Sequence, residues 1–135
     1  MASLANIRAA VALNLATIPG WQISAYQLSN ATLPSLQVMG LDDIQYDRAM
    51  GRGVDDWSIS IMAFAGITTD IGAQKLLDGL IDDDVVKTAV ESDKTLGGAA
   101  FDVHVTECSG YRAYVLGTNQ VIGCEWKVRV MAAGI

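Results

Sequence analysis

The sequence is poor in cysteine, histidine and basic residues, and each shortage disfavours a class of protein. Two cysteines and one histidine occur in 135 residues, too few for a metal site built from several such side chains. The nine lysine and arginine residues are scattered, and the net charge is −6. Proteins that hold nucleic acid through its phosphates need clustered basic side chains. A protein that binds DNA or RNA tightly is therefore not expected.

Long apolar runs and a secretion signal are also missing. No stretch approaches the roughly 20 consecutive apolar residues that span a bilayer, and the N-terminus lacks a charged start followed by an apolar block. We therefore expect a protein without membrane contact that is made in the cytosol. A reducing cytosol disfavours a bridge between Cys108 and Cys124, so both are predicted to be small core residues.

What the chain has in abundance is apolar content, since 51% of its residues are hydrophobic and only 18% are charged. This length suits one domain, and we predict a single domain over residues 1–135. The composition is sufficient for a sizeable core and also for apolar surface that is buried against neighbouring chains.

Apolar residues at helical spacing predict an N-terminal helix and a central helix pair. The first helix is expected over residues 3–17, and the following Pro19 and Gly20 are expected to end it. Asp70 is placed to cap a second helix. Its predicted buried stripe comprises Ala73, Leu76, Leu77, Leu80 and Ile81. The acidic run 82–84 is expected to close this helix and to begin a shorter third one over 85–92.

Alternating apolar and polar residues predict the strands. Segments 35–39 and 44–50 are expected to be two pieces with a break at Gly40 and Asp42–Asp43, and residues 57–64 a half-buried strand. The last third predicts a β-meander in which Phe101, Val103 and Val105 share a face. In its final strand, one predicted face comprises Ile122, Cys124, Trp126, Val128 and Val130, and the other comprises Glu125, Lys127 and Arg129. Together these patterns predict an α+β domain, with a mixed or antiparallel sheet of about four to six strands against the N-terminal helix and the central helix pair.

No residue pattern indicates catalysis. His104 is predicted to be a surface or interface residue, because a general base needs an orienting carboxylate and Asp102 shares its face only in a regular strand. The consecutive side chains of 82–84 point in different directions and lack the spacing of a calcium loop. No nucleophile elbow or phosphate-binding glycine loop occurs. We therefore expect no catalytic, cofactor-binding or metal-binding residues and infer that the protein is not an enzyme.

The segment from Asp47 to Asp56 is the candidate interaction site. It combines glycines, which let a loop change shape on docking, with arginines and aspartates that form ion pairs across interfaces. We predict an exposed hairpin connection that contacts another chain, and a plain flexible hairpin is the alternative. The candidate interface residues are Arg48, Gly51, Arg52, Gly53, Asp55 and Asp56.

Four local features, in the order in which they occur, carry a resemblance to a known family. They are the proline that opens the strand Leu33–Val38, the polar segment before the Trp-led strand Trp57–Phe64, the Asp-capped helix Asp70–Ile81 and the antiparallel finish Tyr111–Met131. With the N-terminal helix, this order resembles the tail terminator family of long-tailed bacteriophages. Segments Tyr46–Trp57 and Ser109–Tyr114 are also similar to tail-region proteins of phages of actinobacteria.

The resemblance implies a structural virion protein that acts by assembly. Members of that family form a ring, usually of about six subunits, that caps the head-proximal end of the tail tube, stops its polymerisation and offers a docking face for the filled head. The expected partners are further copies of the chain, the major tail tube protein and the neck stopper protein. DNA would pass through the channel without specific binding, to which an acidic surface is suited. The expected location is the virion tail or neck, and the host cytoplasm during assembly.

Two alternatives remain open from the sequence. One is another neck or tail component, either a stopper or a tail tube subunit, because these proteins share parts of the same pattern. The other is a small ligand-binding or hydrolytic α+β enzyme with a pocket between the sheet and the helices. Convergent polar groups in such a pocket would favour the enzyme.

Overall fold

The computed structural model describes residues 4–18, 20–25, 34–45, 54–67, 71–96, 100–116 and 119–133. In chain order, they form α1 (Leu4–Leu15), β1 (Gln22–Ser24), β2 (Ser35–Gln45), β3 (Val54–Ile67), α2 (Ile71–Ile81), a 3-10 turn (Asp82–Asp84), α3 (Val85–Val90), β4 (Asp102–Leu116) and β5 (Asn119–Ala133). The strands form one mixed sheet of order β1-β2-β3-β5-β4. This confirms the predicted α+β architecture.

The main core lies between one face of the sheet and the helices. Helix α1 contributes Ile7, Val11 and Leu15, all fully buried, as the helical spacing predicted. Helix α2 buries Ala73, Leu77 and Leu80. Consecutive residues of a helix lie about 100° apart, which places Leu76 at the margin of the face that buries Leu77. The prediction was therefore wrong for Leu76, which is 40% exposed.

The two central strands, β3 and β5, direct alternate side chains to the two faces of the sheet, but residues 57–64 are not half-buried as predicted, because Ser60, Met62 and Phe64 on the second face are buried as well. Trp57, Ile59, Ile61 and Ala63 of β3 face the helices, together with Cys124, Trp126, Val128 and Val130 of β5. On the opposite face, Met62, Phe64 and Val121 form a smaller cluster, against which Met39 and Tyr114 pack. One sheet thus carries a large core on one side and a small apolar cluster on the other.

Strand β2 is continuous, so the predicted break at Gly40 and Asp42–Asp43 is wrong. The register with β3 instead shifts at two places, between Val38 and Leu41 and between Leu41 and Asp43. Such shifts absorb extra residues without ending a strand. Arg8 of α1 stabilises the register shift that follows Val38, because its Nη2 donates to the carbonyl oxygen of Val38 at 3.0 Å.

Strand β4 is also one long strand, paired with β5 along its length. Its register shifts between Val105 and Glu107 and again between Ser109 and Arg112, and Gly110 has the left-handed φ of +69°. Phe101 precedes the strand and is 59% exposed, so it does not share the buried face of Val103 and Val105 as predicted. The result is a long hairpin of β4 and β5 at one edge of the sheet.

Candidate interaction surface

Of the six predicted interface residues, four lie outside the described residues: Arg48, Gly51, Arg52 and Gly53. The other two, Asp55 and Asp56, belong to β3, where they are paired with Ala132 and Met131 of β5. Their side chains are buried. The prediction that they lie in an exposed connection is wrong, because the ladder with β5 continues to Val54 and draws both residues into the sheet.

Asp56 forms an ion pair with Arg129 of β5. The Nε of Arg129 donates to Oδ1 of Asp56 at 3.3 Å, and its Nη2 donates to Oδ2. The Asp56 side chain is 4% exposed, whereas that of Arg129 is 46% exposed. A guanidinium presents several donors in a fixed plane and so matches both carboxylate oxygens. This pair ties β3 to β5 on the sheet face that is turned away from the helices.

His104 lies on the same face, directly opposite Arg129 in the β4–β5 register. Its side chain is 58% exposed, which confirms the prediction of a surface histidine. With Asp102, Arg129 and Met131 it lines a depression of about 240 Å³. Asp102 therefore does share the face of His104, but the nearest carboxylate oxygen recorded for the imidazole belongs to Glu91, with Oε2 3.6 Å from Nδ1.

Glu91, just after α3, connects the helices to the edge strand β4. Its Oε2 accepts hydrogen bonds from Nζ of Lys87 at 2.5 Å and from the backbone N–H of Val105 at 3.2 Å. Burial raises the pKa of Glu91, but these two hydrogen bonds and the charges of Lys87 and His104 outweigh it, so the pKa is lowered. The ionised carboxylate thus accepts a hydrogen bond from an outward-pointing backbone N–H at the sheet edge. That N–H is then engaged, which limits pairing with another strand there.

The distal half of β4 has a different surface. Tyr111 donates from its hydroxyl to Oδ1 of Asp78 on α2 at 2.7 Å, a bond that raises the pKa of Tyr111 to about 12. The Arg112 guanidinium lies 4.9 Å from the ring centre of Tyr114, and Tyr114 meets Phe64 edge to face. Val115 is 72% exposed. This end of the strand therefore offers apolar and aromatic groups to solvent.

A cavity of about 200 Å³ lies between the helices and the β4–β5 hairpin. Its lining includes Lys87, Glu107, Cys108 and Trp126. Cys124 is buried, as predicted, but Cys108 is exposed, because it lies on the outermost strand. Burial raises the pKa of the Cys108 thiol, which disfavours the reactive thiolate.

Among the described residues, no three histidine, cysteine or acidic side chains converge on one point. The aspartates 82–84 form a single 3-10 turn between α2 and α3, which confirms the predicted helix junction. No described helix is long and apolar enough to cross a membrane.

Comparisons with known proteins do not identify a family for this chain. No protein-family model matches the chain, and no curated protein matches it.

Sequence reasoning missed the roles of Glu91, Asp78 and Arg129. Each acts on a residue that is distant in the chain, and Arg129 and Asp56 are 73 positions apart. The strand alternation did place Arg129 on the polar face of β5, but only the pairing of β3 with β5 shows which carboxylate it meets.

Proposed function

We propose that this protein is a structural virion subunit that assembles with copies of itself into a ring at the head-proximal end of a phage tail tube. There it ends tube polymerisation and provides the surface that joins tail to head. One observation carries the proposal: the distal half of the edge strand β4 exposes apolar groups, with Val115 72% and Tyr111 44% exposed. Exposed apolar sheet edges pair with other chains unless they are blocked.

The resemblance to tail terminators supplies the type of assembly. The described elements follow the order used for that resemblance, from α1 to the long final hairpin, whereas Asp70 and residues 46–53 of the polar segment lie outside the described residues. The net charge of −6 and the nine basic residues suit a channel wall along which DNA slides without binding. In this proposal the partners are the tail tube protein on one side of the ring and the neck stopper on the other.

A ligand-binding protein or enzyme is the second candidate, because a cavity does lie between the sheet and the helices. At about 200 Å³ it is smaller than the roughly 300 to 1,000 Å³ of most small-molecule sites. Two of its polar side chains are engaged elsewhere, since Lys87 is bound to Glu91 and the Thr106 hydroxyl donates to the carbonyl oxygen of Lys127. Assembly is the better supported function.

Electron microscopy and mass measurement of the purified protein test the proposal. Discrete closed rings are the expected result. Open-ended tubes would identify a tail tube subunit instead, and a protein that stays monomeric at high concentration and in the assembled particle would exclude a ring subunit.

The predicted role of Arg48 and Arg52 is tested in the same particles. Because both are predicted from the sequence to be exposed, changing them to alanine is expected to leave the fold intact and to impair the formation of functional tails. A charge-matched control changes Lys94 and Lys127, both exposed, to alanine. Normal tails and infectivity from the arginine double variant would remove these residues from the mechanism.

A further inference from the structure

The outer edge of β4 is divided into a blocked half and an open half. In the blocked half, Glu91 accepts the N–H of Val105. Beyond the register shift at Ser109 to Arg112, no described strand, helix or carboxylate bonds to the outer edge of residues 112–116. An edge with unpaired backbone groups is a template for another strand.

Helix α2 extends the apolar surface beside this open half. The bond between Tyr111 and Asp78 brings α2 against β4, and a Cβ added to Gly66 of β3 would lie 2.9 Å from that of Ala73. Because Gly66 aligns with Ile122 and Ile122 with Ala113, the first turns of α2 lie level with the open half. Ile71 in that first turn is 68% exposed.

The opposite edge of the same sheet is also only partly covered. Strand β1 pairs with residues 35–37 of β2, and β2 continues to Gln45 without a described partner on that side. Following the antiparallel pairs from β2 through β3 and β5 to β4, β2 and β4 run in opposite directions. A second copy placed alongside in the same orientation therefore presents β2 antiparallel to β4.

The two open segments lie at opposite ends of the sheet. Gln45 aligns with Asp56, Met131 and Asp102, at the start of β4, whereas the open half of β4 is at its end. The segments meet only if the second copy is displaced along the strands. Strands that are staggered in this way tilt relative to the axis when a sheet closes on itself.

We infer that the open half of β4, residues 112–116 with the exposed Val115, pairs antiparallel with the outer edge of β2, residues 39–45, of a second copy. The contact joins two different surfaces, so it is head-to-tail and closes into a ring when the rotation between copies permits. This interface rests on the proposed ring function and names the surfaces that build it.

A matched pair of variants tests the β4 side. Val115→Lys places a charge on the open edge, whereas Leu13→Lys places the same charge on α1 at nearly equal exposure, 72% against 73%. We expect Val115→Lys to raise the protein concentration for half-assembly about 10-fold or more, and Leu13→Lys to leave it unchanged. Circular dichroism checks the fold of each variant. If Val115→Lys unfolds, Ala113→Lys on the same exposed edge replaces it in the experiment.

A mixing experiment tests the β2 side. Asp42 has no partner in the β3 register, so Asp42→Pro removes a backbone N–H from this part of β2 without breaking a registered pair with β3. Each variant alone should be monomeric, because each lacks one of the two surfaces. Mixed together, Asp42→Pro supplies an intact β4 and Val115→Lys an intact β2, so a one-to-one dimer is expected by mass measurement.

The outcomes separate the interface from the ring. Equal assembly of wild type, Val115→Lys and Leu13→Lys would overturn the interface but not the ring. The same conclusion would follow if wild type forms rings while the mixture of Asp42→Pro and Val115→Lys stays monomeric. If wild type itself never assembles, both are overturned.

Discussion

Arg129 of β5 holds both carboxylate oxygens of Asp56, a residue 73 positions earlier in the chain and 4% exposed. The pair stabilises the junction of β3 and β5 on the sheet face opposite the helices, in the same row as His104 of β4. A residue that was predicted to lie in an exposed charged loop is thus a buried carboxylate paired with a half-exposed arginine.

Removing the guanidinium should destabilise the fold. Arg129→Ala leaves the buried carboxylate of Asp56 with fewer donors and is expected to lower the free energy of unfolding by about 1 to 3 kcal/mol. Lys127→Ala, an exposed lysine on the same face of β5, is the control and should cost less than about 0.5 kcal/mol. Urea unfolding measures both, and equal effects would contradict the structural role of the pair.

Two adjacent leucines of α2 should differ sharply. Leu77 is fully buried and Leu76 is 40% exposed. Leu77→Ala is expected to cost about 2 to 5 kcal/mol of unfolding free energy, and Leu76→Ala less than about 1 kcal/mol. The same loss at both positions, in denaturant unfolding, would mean that α2 is rotated relative to the sheet.

Two glycines should respond to alanine in opposite directions. A Cβ on Gly123 of β5 would lie 2.3 Å from the carbonyl oxygen of Ala63, whereas Gly79 of α2 has nothing within 4 Å. Gly123→Ala is expected to destabilise the protein by about 1 to 3 kcal/mol, and Gly79→Ala to stabilise it by about 0.5 to 1 kcal/mol because alanine favours the helix. Thermal unfolding checks both signs, and a Gly123→Ala variant as stable as wild type would contradict the close contact.

Glu91 should make stability depend on acid pH. Its pKa in the folded chain lies below the ordinary 4.5, so the carboxylate stabilises the fold fully above pH 4.5, and this stabilisation is lost as the pH falls through the lowered pKa. Glu91→Gln should therefore be less stable than wild type near neutral pH, with a difference that shrinks below pH 4.5. Glu107→Gln, an exposed glutamate of β4, is the control in the same unfolding series. A difference for Glu91→Gln that is independent of pH would contradict this account.

The Tyr111 hydroxyl should lose its proton at a higher pH than an ordinary tyrosine. Its hydrogen bond to Asp78, with smaller effects of burial and of the Asp78 charge, raises its pKa from 10 to about 12. The bond therefore stabilises the fold below pH 10, and this contribution is lost as the pH rises towards 12. Asp78→Ala should return the pKa towards 10, whereas Asp82→Ala should not. Ultraviolet titration of tyrosinate measures the change, with Tyr111→Phe to assign it, and an unchanged titration in Asp78→Ala would exclude the bond.

Elements and their core-facing residues could be predicted from the sequence where a regular period extends over many residues. The stripe of α1 and the alternation of β3 and β5 follow from the 3.6-residue and two-residue periods of helix and strand, and both are confirmed. Local signals were less informative where irregularities occur inside a strand, as at Leu41 in β2 and Gly110 in β4, because a bulge and a turn use similar residues.

The contacts between groups that are distant in the chain could not be predicted, because they follow from how the whole chain packs. The pairs Asp56 with Arg129, Asp78 with Tyr111, and Glu91 with the N–H of Val105 depend on sheet order and on helix placement. Neither is encoded in any short window of sequence. The same reason explains the candidate surface: alternation predicted that β4 is a strand, but its position at the edge, blocked in one half and open in the other, results from packing of the whole chain.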